Sequence, residues 1–576
     1  MNPETTSTSR GQAKTCQNCR QSFVIEPEDF TFYEKIKVPP PTFCPECRLQ
    51  RRLVWMKGLR LFNRKCDLCG EMKLSMYEPE APYLVYCDRC WWSDGWDARD
   101  FGREYDPSRP FLEQFRELLR TTPLLGLSID KTTSELSPYS NHTGQSKNCY
   151  LIYYSDASED CAHGCYIDKC KNVYDCTPIM DCENCYDSGN CFKNYNCAYT
   201  FQARQNVDCK FLSYSGGCTN CFASTNLKNK SYVFLNEQLT KEEYQKKVGE
   251  IDLGSYKVYE YWKDKARDHW KKYPPRPAYD DFSVDCEGSS YIFESKNCKD
   301  SFEVVGAEDC RFLDLIASGN VKDTYDLTQF GANLDMVYDS CEIGKDARDI
   351  QFSFNSGLDL MDVRYSAFLT STAHHFGCVS VRKSEYCILN KQYSKEEFDV
   401  LKKRIIKDME ENPYVSKEGH VYKYGEFFPP EFSPHAYNGT FANFFFPLSK
   451  EDVLKKGLRW LEPEEKEYKV TIVAKDLPDN IKDVEDSLLK DVIGCMKCKR
   501  GFRVIKKELE FLRSNCLPLP RNCPFCRIGE KIELWIKNRK LIDRVCDKCG
   551  VDFKTYCDKE RAPHVLCKKC YLAEVV

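Results

Sequence analysis

The sequence predicts a mainly β protein: a duplicated parallel β-solenoid with capping helices, flanked at both ends by small four-cysteine modules. Three observations predict it. Cys-x-x-Cys pairs recur at both ends with matched spacing, a short aromatic unit recurs through the middle, and two related helix-forming segments close the two stretches of that unit.

At 576 residues the chain exceeds the size at which one core stops growing, so several domains are expected. An apolar fraction of 42% and a charged fraction of 30% suit a globular protein, whereas 36 cysteines call for a placement. The polar start MNPETTSTSRGQAKT holds no apolar leader, and no run of 18 apolar residues occurs. A cytoplasmic, reducing setting without membrane insertion is therefore expected. There, patterned cysteines serve metal binding or catalysis more than disulfides.

The ends come first. Cys16/Cys19, Cys44/Cys47, Cys66/Cys69 and Cys87/Cys90 stand near the start; Cys495/Cys498, Cys523/Cys526, Cys546/Cys549 and Cys567/Cys570 stand near the end. At both ends 24 residues separate the first and second pairs and 17 separate the third and fourth. TFCPECR (42–48) matches RNCPFCR (521–527), and KCDLCG (65–70) matches VCDKCG (545–550), which marks an internal duplication. Two residues between cysteines let a knuckle hold two sulfurs about 3.8 Å apart, and a second knuckle completes a tetrahedron with Zn–S distances of about 2.3 Å. All sixteen paired cysteines are thus expected to ligate four structural zinc ions, in modules that resemble zinc ribbons and treble clefs. Gly70 and Gly550 follow the third knuckle, where a positive φ is expected. Redox dithiols are the weaker alternative, since they need no second pair at fixed distance.

In the middle, KNCYL (147–151), HGCYI (163–167), KNVYD (171–175), ENCYD (183–187) and TNCFA (219–223) repeat one unit. Tyr325, Tyr338, Phe352 and Tyr365 continue a looser version. Short strands between turn residues, repeated this closely, predict stacked coils. Four or five coils of about 24 residues per half, at ~4.8 Å each, give roughly 20–25 Å per half. Cys and Val interchange between ENCYD and KNVYD, so the 20 cysteines outside the pairs read as small buried apolar groups. Extra metal ligands or disulfides are the alternatives. Thr240–Glu243 and Ser394–Glu397 form capping boxes for helices that close each stack. The expected order is 12–100 N-terminal double zinc module, 101–145 linker or cap, 146–249 first solenoid half, 250–281 connector, 282–408 second half, 409–490 aromatic-rich flank, and 491–576 C-terminal double zinc module. The flank is expected to pack on the solenoid, with an exposed partner patch as the alternative. Its sequon Asn438-Gly-Thr is expected to carry no glycan.

Charge is uneven. Residues 495–576 hold 20 Lys+Arg against 10 Asp+Glu, and residues 14–65 hold 11 against 5; with the whole chain at −4, the remainder carries −20. Four thiolates on one Zn²⁺ subtract two charges per site, leaving moderately basic ends. RLQRRLVWMKGLRLFNRK (48–65) and IKNRKLIDR (536–544) set arginine and lysine beside Trp55 and Trp535, a mixture suited to phosphate contact and base stacking. Arg51, Arg52, Arg539 and Lys540 are the candidate nucleic-acid contacts, and structured RNA or the ribosome is the expected partner.

His374, His375 and Cys378 form the best nucleophile–base grouping, though buried structural residues explain them better. No phosphate loop, metalloprotease helix or dinucleotide fingerprint occurs. Over YEKIKVPPPTFCPECR (33–48), FGCVSVRKSEYCILNKQYSKEEF (376–398) and AYNGTFANFFFPLS (436–449), the chain resembles an uncharacterised cysteine-rich family of candidate-phyla bacteria. That resemblance implies the domain order and no activity. The expectation is a non-enzymatic, zinc-binding, nucleic-acid-binding protein. A protein–protein scaffold using the solenoid surface and a glycan-processing solenoid are the alternatives.

Overall fold

In the computed structural model, residues 11–130, 132–316, 319–462 and 469–575 are described, so part of the polar start (1–10) lies outside. The chain forms two compact units, each built from two separated stretches: Met1–Leu127 with Tyr279–Glu462, and Ser128–Ala278 with Pro463–Val576. The N-terminal cysteine module thus shares a unit with the second solenoid half, and the C-terminal module with the first.

The protein is mainly β, and each solenoid half is a 13-stranded sheet whose strands pair in parallel until a closing hairpin. In the first half Tyr150, Ala162, Tyr174, Tyr186, Ala198, Lys210, Phe222 and Phe234 are successive register partners. Each lies 12 residues beyond the last, so the coil is half the expected ~24 residues. These eight rungs span roughly 34 Å at a strand spacing of ~4.8 Å. In the second half, from Ser290 through Phe302, Asp314, Thr328, Cys341, Phe354 and Ala367 to Val379, the step varies between 12 and 14.

The short coil has a local cause. From Gln145 to Leu235 every third residue has a positive φ, save Pro178, whose ring forbids it. Two extended residues and one left-handed residue make a side with a corner, and four sides close a coil. Asn148, Asn172, Asn184 and Asn220, the residues before the small apolar position in the repeat unit, are such corners. No Val, Ile or Thr occupies a positive-φ position anywhere among the described residues, as β-branching demands.

The residue after each corner points inward. One inward column reads Cys149, Cys161, Val173, Cys185, Cys197, Cys209, Cys221 and Val233, all at most 2% exposed. Val173 and Cys185 are direct register partners, so the interchange read from KNVYD and ENCYD is a stacking relation. The thiols lie within reach of two carbonyls each: Cys161 Sγ is 3.2 Å from Glu159 O and 3.5 Å from Cys170 O. HGCYI is out of phase: Cys165 pairs with Tyr153 and is buried on a different side. In the second half Tyr338, Phe352 and Tyr365 form a ring ladder at 5.5 and 4.7 Å.

Both stacks end alike. Asn236 accepts from Thr225 N and donates to Thr225 O, and Asn390 does the same with Val379. Helices Lys241–Gly249 and Lys395–Glu411 follow, with both expected capping boxes formed. In the second unit helix Tyr256–Trp270 lays Trp262 against Phe222 (4.8 Å). In the first unit Phe427, Phe428, Phe432 and Phe441 of the aromatic flank are fully buried, against Trp55, Phe115 and Tyr365. Among the described residues no helix is long and apolar enough to cross a membrane.

Candidate metal centres and the helices they anchor

Four groups bring their cysteines together: Cys16, Cys19, Cys44 and Cys47; Cys66, Cys69, Cys87 and Cys90; Cys495, Cys498, Cys523 and Cys526; Cys546, Cys549, Cys567 and Cys570. Within each, the four sulfurs lie within 4.8 Å of one another. Inter-knuckle distances such as Cys19–Cys44 (3.7 Å), Cys498–Cys523 (3.6 Å) and Cys549–Cys567 (3.8 Å) match the edges of a tetrahedron that could hold a metal ion by thiolates.

The four sites share one construction. After the second cysteine of the first knuckle comes a left-handed residue: Arg20, Gly70, Lys499 or Gly550. Its amide donates to the first cysteine's carbonyl at 2.9–3.1 Å, and that cysteine's amide closes the hairpin. The expected positive φ of Gly70 and Gly550 is present. Each second knuckle opens a helix, with Cys44, Cys87 and Cys523 as N-caps. Their amides point at the first sulfur: Cys44 N to Cys16 Sγ is 3.3 Å, and Cys87, Cys523 and Cys567 reach Cys66, Cys495 and Cys546 at 3.2 Å. Burial raises the Cys66 and Cys495 thiols, but knuckle amides outweigh it and bring both to about 7; Cys546 comes to about 6. Amide-stabilised thiolates in closed sets of four suit a structural metal, since no coordination position is left open.

Helices Pro45–Leu53 and Pro524–Ile536 run from these sites onto the solenoids, and two of the four expected nucleic-acid contacts, Arg51 and Arg52, face inward. Arg51 and Arg52 are 3% and 0% exposed. Arg52 donates to Asp326 (3.1 Å), Asp339 (2.8 Å) and Thr328 Oγ1 (2.9 Å); Arg51 pairs with Asp339 (2.6 Å) and Glu426 (2.9 Å). Arg48 joins Asp326 at 2.8 Å. Burial opposes ionisation of Asp339, but Arg51, Arg52 and Arg48 together hold its carboxyl below the usual range. Trp55 and Trp535 are buried too, so neither offers a ring to a base. Cationic residues on a helix that follows Cys-Pro-x-Cys look alike in sequence whether they face water or a buried aspartate. Arg539 is half-buried and Lys540 exposed.

The second unit repeats the docking. Arg527, the counterpart of Arg48, pairs with Asp175 and with Glu508 (2.9 Å), and Lys531, the counterpart of Arg52, pairs with Asp187. Lys263 reaches Asp187 at 3.3 Å. Asp175 and Asp187 are left-handed corners on consecutive coils, as are Asp326 and Asp339. His163, one coil before Asp175, is fully buried 3.6 Å from both Asp175 and Glu508. Burial and Arg527 push His163 well below its usual range, and burial lifts Glu508 to about 7. In the first unit Phe312 takes that place, with Arg48 over its ring at 5.1 Å. These aspartates escape notice in the sequence because their signal is a spacing of 12 or 13 residues in a stretch that looks merely acidic.

The histidine–cysteine grouping is dispersed. His374 bonds Asp362 (3.0 Å), His375 bonds Ser384 O (3.2 Å), and Cys378 Sγ points to Cys387 O (3.2 Å). Asn438 exchanges two hydrogen bonds with Leu461, so its amide is engaged. No family model matches the chain, and no curated protein matches it.

Proposed function

We propose that the protein is a non-catalytic scaffold in which four zinc ions hold helices that lock small modules onto two solenoid halves, whose outer faces bind partner proteins. The observation that carries this reading is the burial of Arg48, Arg51 and Arg52 in ion pairs with the solenoid's own aspartates. The strongest cationic run in the sequence is spent on internal docking. A groove of about 720 Å³ on the second half, flanked by Asp346, Asp359, Arg348, Lys383 and half-exposed Met361, is the face to examine first. The all-thiolate tetrahedral sets support zinc as the metal. The resemblance to an uncharacterised cysteine-rich family supplies no activity.

A second reading keeps nucleic acid, as structured RNA, at the C-terminal module, where Lys540 is exposed along with knuckle lysines Lys497 and Lys499. Crosslinking and sequencing on metal-loaded protein from native cells separates the two. The scaffold reading expects background RNA recovery and partners that survive nuclease treatment. Defined RNA sites at the C-terminal module, lost on reversing Arg539 and Lys540, would overturn it.

A further inference from the structure

The two units place corresponding residues around corresponding spots, with Arg521 in place of Thr42 and Glu530 in place of Arg51, and the first unit's spot is filled by a turn of its own chain. By the repeat of the Cys-Pro-x-Cys-Arg segments, Pro39, Thr42, Arg48 and Arg52 of the first unit correspond to Pro518, Arg521, Arg527 and Lys531 of the second. In the first unit the turn Tyr424–Phe427 enters the spot. The Glu426 carboxylate accepts from Thr42 N (2.7 Å), Thr42 Oγ1 (2.6 Å) and Arg51 (2.9 Å). Gly425 N donates to the Tyr365 hydroxyl (2.9 Å) and Phe427 N to Asp339 (3.3 Å). Gly425 sits at φ 105°, and a Cβ there would lie 2.6 Å from Pro39 Cγ, so the turn fits only with glycine.

In the second unit the same place is a cavity of about 240 Å³, whose charged lining includes Arg521, Lys263 and Lys531 beside Asp187, Glu260 and Glu530. Arg521 stands where Thr42 stands in the other copy. It is 5% exposed and lies over the Tyr256 ring at 4.7 Å. One guanidinium nitrogen, Nη2, donates to the carbonyls of Leu477 (3.3 Å) and Pro478 (2.8 Å); Nη1 is buried with no hydrogen-bond partner among the described residues. No carboxylate among the described residues forms an ion pair with Arg521, although Arg527, Lys531 and Lys263 all have theirs. The Asp479 carboxylate acts on this guanidinium only from beyond ion-pair distance, so it offsets little of the hydration that burial removes. Burial accordingly holds its pKa below the usual arginine range.

We propose that this cavity binds a carboxylate supplied from outside the chain, gripped by Arg521 at the position where Thr42 grips Glu426 in the first unit, on the side of the cavity away from Glu530. The volume equals roughly eight waters' share of liquid, enough for one acidic side chain or a small organic acid and too little for a sugar polymer. The site stands independently of the scaffold reading, since either a peptide or a free acid satisfies its chemistry.

The test uses full-length, metal-loaded protein in calorimetric titrations with three probes. These are a heptapeptide copying residues 422–428 (YKYGEFF), the same peptide with glutamine for glutamate, and glutarate. Saturable binding of the glutamate peptide or of glutarate is expected, weakened about tenfold by Arg521→Gln, the loss of one charge-assisted hydrogen bond. Binding of the peptide alone assigns the source to a protein segment, and binding of glutarate alone assigns it to a small acid. Without ligand, Arg521→Gln should melt no lower than wild type, and only wild type should gain melting temperature from the binding probe. Should the glutamine variant not fold, Arg521→Lys is read instead, with weakened binding expected. No saturable binding to wild type up to about 10 mM, or unchanged affinity in the variant, overturns the proposal.

Discussion

Arg52→Met tests the docking of the knuckle helix most directly. The methionine keeps the length and apolar stem of the side chain and removes three donated hydrogen bonds, to Asp326, Asp339 and Thr328. Asp326 and Asp339 are both fully buried; Asp326 stays partnered by Arg48, and Asp339 by Arg51 and the Phe427 amide. Removing one partner from a buried ion pair costs about 3–5 kcal/mol, because the remaining charge is left undercompensated. At roughly 2 °C per kcal/mol for a unit of this size, the first unit should melt about 6–10 °C lower in differential scanning calorimetry. The second unit, which shares none of these residues, should keep its transition. Lys540→Met, on an exposed side chain, should change stability by no more than about 0.5 kcal/mol. Adding Asp339→Asn to Arg52→Met should restore part of the loss, since it removes a carboxylate the methionine cannot neutralise. If Arg52→Met leaves both transitions in place, the helix is not docked through these pairs and its arginines are free for another ligand.

Cys44→Ser or Cys523→Ser should each lower bound metal from four ions per chain to three and unfold its own module first; elemental analysis and limited proteolysis read both outcomes. Because burial raises the Glu508 carboxyl to about 7, its contribution to stability is fullest below pH 4.5 and is lost as pH rises through 7. Glu508→Gln should flatten that profile and gain up to about 3 kcal/mol over wild type at pH 8 in chemical denaturation. In the inward column Cys209→Val should cost under about 1.5 kcal/mol, since valine already stands at Val173 and Val233, whereas Cys209→Leu should overpack and cost about 1–3 kcal/mol. Thiol titration of the folded, metal-loaded chain should leave this column unreacted and label exposed Cys516.

The metal sets were legible because a tetrahedron of sulfurs constrains sequence spacing tightly. The matched gaps of 24 and 17 residues, with Gly70 and Gly550, carry nearly the whole geometry. The capping helices were legible for a similar reason, as Thr240–Glu243 and Ser394–Glu397 satisfy their own amides locally. The coil length was not. The repeat units begin 12 residues apart at Lys171 and Glu183 but 24 and 36 elsewhere, and intervening coils hide behind Gln, Lys and Leu at positions that require only a left-handed corner. The fates of Arg51 and Arg52 lay beyond the sequence altogether. A docking arginine and a phosphate-binding arginine differ only in what stands opposite, and Asp326 and Asp339 lie nearly 300 positions away.

The corners have a consequence for how the stacks come apart. A left-handed non-glycine residue costs on the order of 1 kcal/mol, and each 12-residue coil holds about four of them, so one coil alone is a strained loop that springs open. Only the rungs above and below hold it shut, which makes each half behave as a one-dimensional chain that unzips from an end. The two ends are unequal. The last coil is stoppered by Asn236 or Asn390, a hairpin and a helix, while the first leaves Leu136 77% exposed in one half and Phe282 89% exposed in the other. Opening therefore starts at the first coil and runs toward the stopper. The aspartates that receive the knuckle helices, three to four coils in, are the latches that halt it.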